Sequence, residues 1–224
     1  MVPPLIVQGA RAKGINLIAI TDHNASANVS AVQEAAIGSE LTVLAGMELQ
    51  TREEVHLLCL FDTSEQLEAW QSIVDANLPA VENNPEFFGE QFVVDASGDF
   101  VRRESRLLAG SSQLSFSQAV QGVIQLGGLA IPAHVNRQLY GLIPVLGFVP
   151  TDVPIMALEI SRHLKPEQAV DQFPQIKGYP LVQGGDVHQL DSYLGANMFA
   201  LRAPTIAEIK MALMNQDNRS LILR

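Results

Sequence analysis

Along the chain, short apolar runs rich in β-branched residues alternate with longer stretches in which apolar positions recur every three to four residues. The first pattern reads as strands and the second as amphipathic helices. Strands are expected at LIAIT from Leu17, at Leu41 to Ala45, and at VHLLCLF from Val55. Further strands are expected at LAIPA before His134, IMALEIS, LVQGGDVH and a final MFALRA. Helices are expected at Met1 to Gly14, Asn28 to Ala36, Ser64 to Asn77, Ser117 to Leu126, Lys165 to Phe173 and Thr205 to Asn215. Leu67, Trp70, Ile73 and Val74 fall on one helical face, which makes Trp70 a core residue. This β-then-α alternation predicts an α/β fold, and the run Leu17-Ile18-Ala19-Ile20 has the composition of a strand buried on both faces. The segment from Pro79 to Ser117 breaks the rhythm. Within it FVVDASGDFV reads as a hairpin turning at Ala96-Ser97-Gly98-Asp99, an excursion over the rim or a plain surface hairpin.

The strands end on polar residues able to bind metal. LIAI runs into Thr21-Asp22-His23-Asn24, LTVLAGME ends on Glu48, LAIPA on His134, and LVQGG on Asp186 and His188; IMALEIS carries Glu159. His56 opens its apolar run instead of closing it. The carboxyl ends of parallel strands are where α/β folds gather their chemistry. Imidazoles and carboxylates in this number suit a divalent cation such as zinc, manganese or iron, so His23, Glu48, His56, His134, Asp186 and His188 are the candidate ligands. Asp186 and His188 are two apart and share a face if the strand extends that far. Gly184-Gly185 before them permits close backbone approach. A carboxylate such as Glu48 can bridge two cations that activate water for attack on phosphorus. Asp186 and His134 are the positions expected to matter most for catalysis.

Other polar residues admit two readings each. Asp22 orients a ligand histidine from behind, or caps the helix that follows. Arg137 and Arg162 are placed to fork onto a substrate phosphate, or form surface ion pairs. Glu159 is a further acidic rim residue or an interior one. His163, beside a polar helix, reads as solvated.

Composition narrows the function. The net charge is −10, with 24 acidic residues against 14 basic ones, which opposes extended nucleic-acid binding but leaves room for a small anionic substrate beside bound cations. The single Cys59 lies mid-strand and forms no internal disulfide, in keeping with a reducing cytoplasm. No apolar run approaches the roughly 18 residues of a membrane span. Phosphate-binding loops of the G-x-x-x-x-G-K-S/T type, G-x-S-x-G elbows and G-x-G-x-x-G turns are absent from the sequence.

Taken in order, ITDHN, GMELQT, EVHLL, AHVNR and GGDVH resemble the polymerase-and-histidinol-phosphatase (PHP) family of metal-dependent phosphoesterases. The resemblance spans Leu17 to His188. It implies a distorted (β/α)7 TIM-like barrel forming a single domain over residues 1–224, with a rim insertion at about 79–117 and two or three divalent metals at its carboxyl rim. By the resemblance, His23 and His188 serve one metal and Glu48, His56 and His134 another, while Glu48 bridges to a further metal that Asp186 also binds. The family's opening D-x-H-x-H strand has no counterpart. A helix feeding a parallel-type strand likewise lacks the strand that a right-handed crossover needs before it. The expectation is therefore a barrel without its first strand, with an edge beside LIAIT open to self-association. The function implied is metal-dependent hydrolysis of a small phosphomonoester or nucleotide. A non-catalytic binding or scaffold module and a C–N hydrolase of the amidohydrolase type are the alternatives.

Overall fold

Apolar spacing and capping chemistry account for the main elements of the structure, a computed structural model that describes residues 1–224. The chain runs through α1 (Pro3–Ala12), β1 (Leu17–Ile20), α2 (Val29–Ala35), β2 (Thr42–Gln50), β3 (His56–Phe61), α3 (Ser64–Asn77) and α4 (Pro85–Phe88). It continues with β4 (Phe92–Val94), β5 (Phe100–Arg103), α5 (Phe116–Gln125), β6 (Leu129–Pro132), α6 (Leu142–Leu146), β7 (Leu158–Ser161) and α7 (Pro166–Gln172). The last elements are β8 (Leu181–Gly184), β9 (Asn197–Ala200), α8 (Ile206–Leu213) and β10 (Ser220–Leu223). Helix α3 starts where Thr63 accepts the Gln66 N–H and the Gln66 side chain returns to the Thr63 N–H. Ser115 and Gln118 do the same for α5. The two helices bury Leu67, Trp70 and Val74 and Phe116, Ala119, Val120 and Val123, each set at helical spacing.

Four strands form the central sheet in the order β1-β2-β3-β6. Only β1 and β2 are parallel; β3 is antiparallel to both its neighbours. The reason is local: a turn of a few residues, Thr51 to Glu54, joins β2 to β3, and so short a link can only reverse the chain. Strands β7 and β8 form a separate parallel pair, β9 and β10 an antiparallel one, and β4 and β5 the expected hairpin. The fold is mixed α/β, and its sheets do not close into a barrel. The β6 and β7 ends are nonetheless laid side by side, since the Val135 N–H donates to the Glu159 carbonyl at 2.7 Å.

The two faces of the central sheet are packed differently. Met47, Leu49, Leu57 and Cys59 meet α3 and α5, with Trp70 fully buried among them. Leu44, Leu60, Leu129 and Ile131 meet α8 through Ile206, Ile209 and Leu213. Burying each large apolar side chain contributes roughly 1.5–3 kcal/mol, so these layers hold the strand ends that carry the polar residues.

Several expected boundaries shift. Strand β1 is half-buried at all four positions instead of fully buried, because it is the edge of its sheet. Strand β2 runs past Ala45 to Gln50; Gly46 continues it, and a Cβ there would sit 2.8 Å from the Ile20 carbonyl of the neighbouring strand. Strand β8 stops at Gly184, and β10 follows the helix that was expected to end the chain. The excursion is tied down by Asn28, whose amide takes the Val94 N–H and donates to the Phe92 carbonyl, and by an Arg106–Asp75 ion pair. No helix is long and apolar enough to cross a membrane.

Candidate metal centre

Strand register brings the polar residues together. In the antiparallel β2–β3 pair Gln50 lies opposite His56 and Glu48 opposite Leu58, so Glu48, Gln50 and His56 project from one face. His23 reaches the same place because the chain after β1 forms a parallel bridge with Glu48. His134 arrives from the end of β6, where a positive φ of 31° turns the chain out of the strand.

The resulting cluster is tight. Glu48 Oε1 lies 3.2 Å from His56 Nδ1 and 3.3 Å from His134 Nε2, and those two nitrogens are 3.2 Å apart. The other carboxylate oxygen, Oε2, faces His23 Nδ1 at 3.6 Å. Glu48, His56 and His134 are buried, while His23 is half-exposed and so forms the mouth. Burial alone would raise the Glu48 carboxyl pKa, but hydrogen bonds from His134 and His56 and the nearby His23 outweigh it and hold the group well below the usual range. Burial lowers the pKa of His23 and favours its neutral form, against the pull of Glu48.

The donor set fits a cation. Tetrahedral zinc with ligand bonds of roughly 2.0–2.1 Å has ligand–ligand edges of about 3.3–3.4 Å, close to the triangle drawn by Glu48 Oε1, His56 Nδ1 and His134 Nε2. His23 Nδ1 is buried and has no hydrogen-bond partner, as expected of an atom reserved for something else. His23, Glu48 and His56 each offer an atom within 4.8 Å of the others, so Glu48 faces ligands from both of its oxygens.

The remaining expected residues are placed differently. Asp186 and His188 lie beyond β8, Asp186 with a positive φ of 43°, so strand alternation does not govern them. Asp186 pairs with Arg137 at 2.5 Å and lies 3.4 Å from His188 Nδ1, and His188 is exposed. Both stand beside the cluster instead of within it. Arg162 donates to the Gly185 carbonyl at 3.3 Å, on the same loop. Asp22 neither touches a histidine nor caps α2. Its backbone is taken by the Glu48 N–H, and its carboxylate accepts the Asn28 amide at 3.2 Å. Glu159 is interior: it accepts the His134 backbone N–H at 2.9 Å, and burial pushes its pKa up to about 7. His163 is exposed.

Three residues around the cluster had no expected role. Gln50 faces His56, Tyr140 stacks flat on the His56 ring with centroids 4.4 Å apart, and buried Asn24 links β2 to the excursion through the Gln50 N–H and the Leu108 and Gly110 carbonyls. Gln50 was detectable, since it follows Glu48 by two in a strand. Tyr140 was not, because its position depends on a tight loop in which a side chain at Gly141 would overlap the Arg137 carbonyl.

No family model and no curated protein matches the sequence. Solved structures do match the fold. The lesion-specific endonuclease PfuEndoQ from Pyrococcus furiosus superposes with a TM-score of 0.71 at 19% identity, over 99% of this chain and 53% of its own. The chain thus spans about half the length of that endonuclease. A putative metal-dependent phosphoesterase from Bifidobacterium adolescentis matches at a TM-score of 0.55 and 18% identity, over 84% of this chain and 82% of its own. A Bacteroides vulgatus two-domain protein containing a predicted PHP-like metal-dependent phosphoesterase matches at 0.55 and 13%, over 100% of this chain and 61% of its own. The fold resembles PHP-like metal-dependent phosphoesterase structures.

Proposed function

We propose that this chain is a metal-dependent phosphoesterase of the PHP type, with its strand ends gathered around the Glu48 cluster. The observation that carries the reading is the triangle of Glu48 Oε1, His56 Nδ1 and His134 Nε2, with edges of 3.2–3.3 Å. His56 and His134 with Glu48 would hold one divalent cation, and Glu48 with His23 would reach a second. A cation held there supplies Lewis acidity and brings the ionisation of water close to neutral pH.

The protein's own groups supply the rest. Glu48, kept ionised, contributes the negative charge that a cation requires. The Glu159 carboxyl fixes the backbone of His134 and thereby the direction of its ring. Arg137, partly exposed and oriented by Asp186, has N–H groups left for a phosphate oxygen, and Arg162 flanks the same loop. The net charge of −10 favours a small phosphoester over a long polyanion.

The test is release of nitrophenolate from an aryl phosphate with added zinc or manganese, run beside a lesion-bearing DNA duplex. The expected result is metal-dependent turnover of the aryl ester, abolished by a chelator and by His134→Ala, and reduced by Asp186→Ala to the extent that Arg137→Ala reduces it. Cleavage of the duplex alone would overturn the small-substrate reading. A zinc-loaded chain that turns over neither substrate would replace the hydrolase with a binding module.

A further inference from the structure

The ends of β6 and β7 are joined by one backbone bond, from the Val135 N–H to the Glu159 carbonyl at 2.7 Å. In a regular parallel ladder the next rung would run from the Ser161 N–H to the Val135 carbonyl. That carbonyl is already taken, because it accepts the Ile143 N–H at 3.1 Å. The Asn136 side chain fills the gap: its Oδ1 accepts the Ser161 N–H at 2.8 Å and its Nδ2 donates to Ser161 Oγ at 3.0 Å. Each member of this reciprocal pair is followed directly by an arginine, Arg137 and Arg162. Both arginines reach the same loop. Register places Ser161 opposite Gly184, so Arg162 stands beside Gly185 and donates to its carbonyl at 3.3 Å, while Arg137 pairs with Asp186. Arg137 thus has a carboxylate to balance it, whereas half-buried Arg162 has that neutral carbonyl alone. A guanidinium without a counter-charge in a partly desolvated position favours an anion as its partner.

We infer that Asn136 is a positioning residue: by replacing the missing rung it fixes the separation of two strand ends, and with it the spacing at which Arg137 and Arg162 present their free N–H groups to one phosphate. Satisfying the Ser161 N–H would need the amide oxygen alone. Here the amide is held at both ends, by that N–H and by the Ser161 hydroxyl, so it cannot rotate without losing one of them. Asn136 makes no hydrogen bond to Glu48, His56 or His134, which separates its effect on an anion from any effect on a cation. The inference rests on the reading of the two arginines as phosphate-binding, and its test is independent of turnover.

The experiment titrates inorganic phosphate into the full, metal-stripped chain by calorimetry, as wild type, Asn136→Ala, Ser161→Ala, Arg162→Ala and the Asn136→Ala/Arg162→Ala double variant. The wild type is expected to bind phosphate, and Asn136→Ala and Arg162→Ala each to weaken binding by about tenfold, the scale of one charge-assisted hydrogen bond. Ser161→Ala, which keeps the backbone rung, repeats the comparison with a milder change and is expected to lose less. If Asn136 acts through Arg162, the double variant binds about as weakly as Arg162→Ala alone, whereas independent effects would multiply to about a hundredfold. Zinc affinity, read by competition with a chelator, is expected to be unchanged in every variant. Multiplying losses, full phosphate affinity in Asn136→Ala, or a wild type that binds no phosphate would each overturn the inference. So would a loss of zinc affinity in Asn136→Ala, since the amide would then be supporting His134. A zinc-loaded chain that binds phosphate through the arginines yet turns over no aryl ester would refute the phosphoesterase reading and leave the role of Asn136 standing.

Discussion

Glu159 fills the space that a side chain at position 184 would need: a Cβ on Gly184 would overlap the Glu159 carboxyl group. The glycine lets β8 lie close against β7, and the carboxyl it shelters fixes the His134 backbone from behind. Gly184→Ala must therefore move either a strand or that carboxyl. The expected cost is about 1–3 kcal/mol, as for overpacking elsewhere in cores, together with weaker zinc binding through His134. Gly185→Ala is the control, because a Cβ there crowds only the end of the Val187 side chain and otherwise makes ordinary contact with Leu194. Urea denaturation of both variants checks this, and equal losses at the two positions would contradict it.

Arg219 grips Glu208 with two N–H groups, at 2.6 and 2.8 Å, in a pair only 7% and 12% exposed. Hydrogen bonding to Arg219 draws the Glu208 pKa down to about 2 from 4.5. The folded value lies below the unfolded one, so the contribution is fully present above pH 4.5 and is lost as pH falls toward 2. Glu208→Gln is expected to be less stable than wild type at pH 7, with the gap narrowing at pH 3. Thermal midpoints at the two pH values decide, and a gap independent of pH would rule the pair out as its cause.

The Arg137–Asp186 pair is 43% and 35% exposed, so breaking it should cost less than about 1 kcal/mol of stability. If Arg137 binds substrate, its loss appears elsewhere. Arg137→Ala is expected to raise KM for an aryl phosphate by on the order of tenfold with a smaller change in kcat, and Arg137→Lys to recover only part, since a lysine cannot fork. A kcat loss at unchanged KM would argue against a binding role.

The sequence made much of the arrangement legible where it depends on local pattern. The runs ending at Glu48 and His134 and the run opening at His56 could be read because apolar stretches that break into ligand-type residues mark strand ends, and a short turn at Thr51 to Glu54 brings the second strand back to the same rim. What could not be read depended on packing between distant segments. The pairing of Asp186 with Arg137 crosses 49 residues, and the Tyr140 stack on His56 requires a loop fold with φ of 64° at Tyr140. Strand β2 extends beyond the expected Ala45 because the neighbouring backbone needs a residue without a side chain at Gly46, a requirement set by a strand distant in sequence. Sheet closure depends on pairings between whole strands, and no local signal carries it.

The claim on which the rest stands is that Glu48, with His56 and His134, holds a divalent cation. Zinc titration of the purified, metal-stripped chain, followed by thermal midpoint and bound-metal analysis, tests it most directly. The account predicts at least one tight equivalent, stabilisation of about 2.7 kcal/mol when free zinc is a hundredfold above its dissociation constant, and loss of both in Glu48→Gln. No bound zinc, or zinc held equally well by Glu48→Gln, would contradict it.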